Sequence, residues 1–345
     1  MINKVVTKAV SYIEKSTGFY TKKGCIRAAT EVGKDLADLC RAGKELTSDE
    51  IRRVFAQRIP NLKLPELASD KKELMALLQK NGADEFYQRF FSELLYGKGA
   101  TPRGLFSPVL KGIFYKKDLA SPLSSTEIIA HEAEHYMEFY ANPQIIIKRF
   151  FRSLSPGVRR FKVNYKARLE RALNSPDKDK ILDDWVKEDL NRADSMSIHV
   201  DLMDYFGVLH ALSGKPRIFK GFAPTEDGFV KYLASDAYNG LYNDKRVDAY
   251  IRGVMRHSLH PGSKRKNAYK NLRDRLKSEA NAYQVSDNMV RYIEGQDALS
   301  YAKIRSLVFK RALKIVDKEL WLARFGKCKQ PKWRCAPIIA VNQQV

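Results

Sequence analysis

The chain has 345 residues, of which 44% are hydrophobic and 30% charged, a globular balance that excludes a wholly disordered protein. Its net charge of +22 favours anionic partners: nucleic acid, acidic proteins or acidic membrane surfaces. A membrane-spanning helix needs about 18 consecutive apolar residues, and no apolar run in the sequence approaches this length. The four cysteines are too few for a disulfide scaffold. The N-terminus lacks a signal-peptide core, so a cytoplasmic location is expected, although non-classical secretion carries no such mark.

The first part of the chain, 1–98, is predicted to be a helical N-terminal region. Apolar residues recur at helical spacing through 25–42, and Gly43 follows them, which is typical of a helix end. Thr47 and Glu50 then form the capping-box pattern that begins the next helix.

Glycine, proline and short apolar runs mark the next stretch. The runs at 104–106 and 112–115 predict one or two short strands. Ser124, with Glu127 three residues later, is a second capping-box pattern. We therefore expect a helix from Ser124 to about Tyr140.

This helix carries the sequence His131-Glu132-Ala133-Glu134-His135. Residues four apart share a helix face, so His131 and His135 can bind one tetrahedral zinc ion. Glu132 is then placed to act as general base toward the metal-activated water. Two of the six histidines in the chain occupy the required positions, although the alternative of two hydrogen-bonded core histidines stays open.

The motif resembles that of the zincin metallopeptidases, in which a strand ahead of the HExxH helix pairs with extended substrate; 112–116 is the matching candidate. The metzincin extension is absent, because Glu138 and Ala141 stand where Gly and His are needed. The resemblance implies an α+β, mostly α fold, with a small sheet packed on the HExxH helix and helical extensions. The expected domains are the N-terminal region 1–98, a zincin-like metallopeptidase domain 99–295 and a basic helical tail 296–345.

With the metzincins excluded, the motif resembles that of the gluzincins, and this resemblance implies a carboxylate from a later helix as the third zinc ligand. Glu279 is the best candidate, because it lies among apolar residues at helical spacing (Leu272, Leu276, Tyr283 and Val290). The run from Glu279 to Tyr283 also resembles the third-ligand segment of ImmA/IrrE-type proteases. The alternatives are Asp204 as the ligand, or a structural pair of Glu279 with Arg275. The resemblance also implies an oxyanion-stabilising side chain, for which Tyr283, His210, His257 and His260 are candidates.

Basic residues concentrate in two segments. Nine of them lie in 148–171 with only Glu170 opposing, and 301–345 holds eleven against two acidic residues. The predicted function is thus a zinc-dependent metallopeptidase. The alternatives are a basic protein that binds nucleic acid or an acidic partner through these segments, with an incidental HExxH motif, and a zinc hydrolase acting on another bond.

Overall fold

The computed structural model describes residues 2–97, 102–117, 122–196, 265–295 and 301–325. This part of the chain is mostly helical with one small sheet, so the prediction of an α+β, mostly α protein is confirmed. The helices are α1 (Ile2–Thr17), α2 (Lys22–Arg41), α3 (Ser48–Arg58), α4 (Lys71–Lys80), α5 (Glu85–Tyr96), α6 (Pro122–Ala141), α7 (Pro143–Ser153), α8 (Pro156–Leu173), α9 (Lys178–Met196), α10 (Arg265–Glu294) and α11 (Tyr301–Phe325). The sequence also predicts helices at 198–212 and 244–257, and both lie outside these ranges.

The sheet has three strands in the order β1 (Glu66–Ala68), β3 (Gly112–Tyr115), β2 (Gly104–Ser107). Strand β3 is central: it pairs parallel with β1 on one side and antiparallel with β2 on the other. The two predicted strands are confirmed. Strand β1 was not predicted, because three residues are too short for an alternating pattern, so the region 1–98 is not wholly helical. The division into three domains stays a prediction.

Two of the three predicted helix boundaries, the end of α2 and the start of α3, are confirmed. Gly43 adopts φ +74° just past α2, and the Thr47 side chain accepts a hydrogen bond from the Glu50 amide at 3.2 Å. The third prediction was wrong, since α6 begins at Pro122 rather than at Ser124. Proline is favoured in the first turn of a helix, where its missing N–H costs no hydrogen bond.

Helices α2, α6 and α10 pack on one another and form the centre of the main core. Their buried contacts include Val32 and Leu36 of α2, Ala133 and Met137 of α6, and Val285 and Met289 of α10. Two of these helices, α6 and α10, carry the candidate ligands, so this packing fixes the geometry of the site. No helix in the described ranges has the length and apolarity needed to cross a membrane.

Gly33 permits the close approach of these three helices. A Cβ atom at this position would lie 2.7 Å from the Ala130 Cβ and 2.5 Å from the Met289 Sδ. We expect Gly33→Ala to lower the free energy of unfolding by about 1–3 kcal/mol, as overpacking does, measured by urea denaturation. The control is Gly157→Ala, since a Cβ on that residue of α8 has nothing within 4 Å. Equal stability of the two variants would contradict the overpacking.

Candidate metal centre

The HExxH helix and α10 bring the three predicted ligands together. His131, His135 and Glu279 each offer a ligand atom, and these atoms all lie within 4.8 Å of one another. The Nε2 atom of His135 is 3.8 Å from the Glu279 Oε1. This His/Glu cluster can hold a metal ion.

A hydrogen-bond chain orients His135. The Ser278 hydroxyl donates to the Glu138 Oε2 at 2.5 Å and lies 3.0 Å from the His135 Nδ1. Because the single hydroxyl proton goes to Glu138, the Nδ1–H must be the donor toward Ser278. The imidazole lone pair is then on Nε2, the atom that faces Glu279, which is the arrangement a metal-binding histidine requires.

His131 is held in a similar way. Its Nδ1 is 3.1 Å from the hydroxyl of Ser286, which is fully buried on α10. The ring of Tyr283 packs edge-on against the His131 ring, with 4.7 Å between the centroids. Of the four candidates for oxyanion stabilisation, Tyr283 is therefore next to the cluster, and the other three lie outside the described residues.

Glu132 is buried beside this cluster, with 7% of its surface exposed. Its Oε2 accepts a hydrogen bond of 2.7 Å from the Phe106 amide of β2. Burial raises the pKa of the Glu132 carboxyl to about 7, against the opposing effects of His135 and this amide. A carboxylate with a pKa near neutrality can both accept and return a proton.

Strand β2 reaches Glu132 because position 104 has no side chain. A Cβ on Gly104 would lie 2.4 Å from the Ile128 Cγ2 and 3.1 Å from the Glu132 Oε1. The Phe106 amide points away from β3 toward α6, so the outer edge of β2 faces the motif. The prediction that 112–116 pairs with substrate is wrong, since β3 is paired on both sides; β2 is the outer strand beside Glu132.

Glu279 lies at the margin of the apolar face of α10 rather than within it. Its side chain is 27% exposed, whereas Leu272 and Leu276 are buried as expected. Arg275, four residues earlier on α10, interacts electrostatically with Glu279. The predicted alternative ligand Asp204 lies outside the described residues.

A second acidic group adjoins the first. Glu134, His135 and Glu138 also have ligand atoms within 4.8 Å of one another. The oxygens of Glu134 are fully buried with no hydrogen-bond partner among the described residues, and burial, then Glu138, raise its pKa well above the usual range. In this group the His135 Nδ1 and the Glu138 Oε2 are already hydrogen-bonded to Ser278, so the group is less suited to a metal.

Sequence reasoning missed the residues that support the ligands: Ser278, Ser286, Glu138 and the Phe106 amide. One signal was present, because Ser286 interrupts the apolar face of α10; Ser278 has mostly polar neighbours at helical spacing and gave none. The Phe106 amide gave none, since a backbone group carries no sequence mark.

The hydrogen bond from Ser278 predicts a measurable effect on metal binding. We expect Ser278→Ala to weaken metal affinity about 10–100-fold, as loss of a group that orients a ligand does, measured by competition with a chromophoric chelator. Ser16→Ala is the control, because that exposed hydroxyl bonds only the Ile13 carbonyl in the described structure. Unchanged affinity in Ser278→Ala would contradict the orienting role.

Comparison of the chain with known protein families, curated proteins and solved structures identified no relative. No family model, no curated protein and no solved structure matches the chain. The geometry of the cluster is therefore the basis on which a function can be proposed.

Proposed function

We propose that the protein is a zinc-dependent metallopeptidase, with His131, His135 and Glu279 as the zinc ligands and Glu132 as the general base. The observation that carries the proposal is the convergence of these ligands from α6 and α10, which are distant in the sequence, to within 4.8 Å. An HExxH pattern formed by chance in a structural helix has no reason to meet a glutamate of another helix.

The donor set suits zinc. Two imidazoles and one carboxylate form a common set in catalytic zinc sites, which keep one position open for water or substrate. Zinc in such a site supplies a Lewis acid that polarises a carbonyl and lowers the pKa of a water molecule toward neutrality.

Glu132 is the proton carrier in this proposal. Its carboxylate takes a proton from the attacking water and gives it to the leaving amine. The Phe106 amide holds one carboxylate oxygen at 2.7 Å, and the burial of Glu132 keeps competing bulk water away.

The substrate in this proposal is an extended peptide that adds to the outer edge of β2. An unpaired strand edge binds a peptide main chain by adding it as a further strand. The Phe106 amide on this edge already donates to Glu132, so a peptide adds through the other main-chain groups of the edge and lies beside the general base.

Metal analysis tests the proposal. We expect purified protein to contain about one zinc ion per chain, measured by inductively coupled plasma mass spectrometry. His131→Ala should lose the zinc, because the two ligands that remain are too few to hold it. The control is Lys44→Ala, which replaces an exposed residue and should keep the metal.

Three results would contradict parts of the proposal. Protein without zinc that does not bind added zinc would make the HExxH motif incidental. Zinc-loaded protein that cleaves no member of a broad peptide library but hydrolyses esters or other amides would make it a different hydrolase. Salt-dependent nucleic-acid binding without zinc would favour the binding alternative.

A further inference from the structure

Helix α7 presents an apolar stripe to solvent. Ile147, Phe150, Phe151 and Leu154 recur at spacings of three and four residues, and they are exposed by 56%, 61%, 67% and 47%. No residue of α7 is buried. A surface helix normally packs its apolar stripe against the core, whereas the apolar stripe of α7 faces the solvent.

The next helix adds exposed apolar side chains and positive charge. Phe161 and Val163 of α8 are exposed by 64% and 67%. The stretch 143–169 contains eight lysine and arginine residues and no acidic residue. Four of the cations have no ion pair with any other residue in the described ranges: Arg152, Arg159, Arg160 and Lys162.

The remaining four cations are held by the protein. Lys148 pairs with Asp274, Arg168 with Glu188 and Lys166 with Glu170, and the Arg149 guanidinium lies over the Phe139 ring. The contacts of Lys148 and Arg149 attach α7 to α10 and α6, and that of Arg168 attaches α8 to α9, whereas Lys166 and Glu170 pair within α8. The exposed stripe of α7, the exposed side chains of α8 and the cations Arg159, Arg160 and Lys162 are called here the α7–α8 face. Arg152 lies about one helical turn from Lys148 and Arg149, on the other side of α7 from the stripe.

We infer that the α7–α8 face binds the surface of a membrane that contains anionic lipid. An amphipathic helix lying in the plane of the interface buries its apolar stripe among the acyl chains, and flanking lysine and arginine side chains reach the headgroups. Arg159, Arg160 and Lys162, which have no ion pair in the described ranges, make the face complementary to an anionic lipid surface. Nucleic acid fits less well, because it offers no apolar medium for Ile147 and Leu154.

This inference goes beyond the proposed peptidase and does not depend on it. The face is formed by α7 and α8, whereas the metal cluster is formed by α6 and α10. Glu132→Gln and His131→Ala should therefore keep membrane binding, and loss of membrane binding leaves the zinc proposal untouched.

The test is sedimentation of the full-length protein with vesicles of phosphatidylcholine alone and with added phosphatidylserine. We expect binding only with phosphatidylserine, weakening as salt is raised. Arg159→Glu with Arg160→Glu should bind more than about 30-fold more weakly, since each cation near an anionic surface contributes on the order of a fivefold factor. Phe150→Ser with Phe151→Ser should bind at least about tenfold more weakly, because the inserted apolar area is lost.

Two matched variants control for charge and for apolar surface. Lys44→Glu with Lys72→Glu changes the net charge equally at exposed positions elsewhere, and Tyr12→Ser with Ile13→Ser removes two side chains of α1 that are exposed by 75% and 58%. Both should bind vesicles as the parent does. Circular dichroism melting curves check that every variant is folded.

Several outcomes would overturn the inference. Absence of binding to phosphatidylserine vesicles, or equal binding to neutral ones, excludes the anionic membrane. An unchanged affinity of Phe150→Ser with Phe151→Ser excludes insertion of the stripe. Preferential binding of RNA or DNA that both face variants abolish would assign the face to nucleic acid, and a dimer that Phe150→Ser with Phe151→Ser dissociates would assign it to a second copy of the chain.

Discussion

Glu132→Gln is expected to lower kcat/KM for peptide cleavage by about 10²–10⁴-fold, the contribution of a general base, while the zinc content stays unchanged. Glutamine has the shape of glutamate and can still accept the hydrogen bond from the Phe106 amide. It cannot accept a proton at neutral pH, so the chemical step loses its base. The measurement is steady-state cleavage of a peptide identified from a library, with metal analysis of the same sample.

Glu93→Gln is the control, because Glu93 is exposed on α5 and distant from the motif in sequence. It should keep both zinc and activity. If Glu132→Gln cleaves peptides at the parental rate, the base is another residue. If it loses the zinc, Glu132 supports metal binding rather than proton transfer.

The motif helix could be predicted from the sequence because its chemistry is local. His131 and His135 share a helix face by spacing alone, and the surrounding apolar residues place that face inside the protein. The same reasoning selected Glu279 over other carboxylates from the apolar positions around it on a single helix. Local periodicity therefore predicted the two helices, and with them the side chains of His131, His135 and Glu279, which lie together in the structure.

Features that depend on tertiary contacts could not be predicted. The position of β2 as an outer strand is set by β1, whose pairing with β3 joins residues that are distant in sequence. The fixed orientation of His135 likewise depends on Ser278 of another helix. Periodicity reports which face of an element is buried, but it carries no information on which element covers that face.

Two sets of side chains could hold the metal ion: His131, His135 and Glu279, or Glu134, His135 and Glu138. Replacing one glutamate of each set distinguishes them by its effect on zinc affinity. We expect Glu279→Gln to weaken zinc affinity more than about 100-fold, since a ligand contributes more than the groups that orient it. A neutral amide is a poor zinc ligand, and the two histidines alone do not form a stable site. Zinc affinity is measured by competition with a chelator of known affinity.

Glu134→Gln is the matched variant, because it makes the same change one residue before His135. We expect zinc affinity to change by less than about tenfold, as Glu134 is outside the proposed ligand set. Urea denaturation of both variants separates a loss of zinc from a loss of folding. The reverse order, with Glu134→Gln losing the zinc and Glu279→Gln keeping it, would assign the metal to Glu134, His135 and Glu138. The general-base role of Glu132 would then lose its geometric basis, because the metal would lie on the Nδ1 side of His135, away from Glu279.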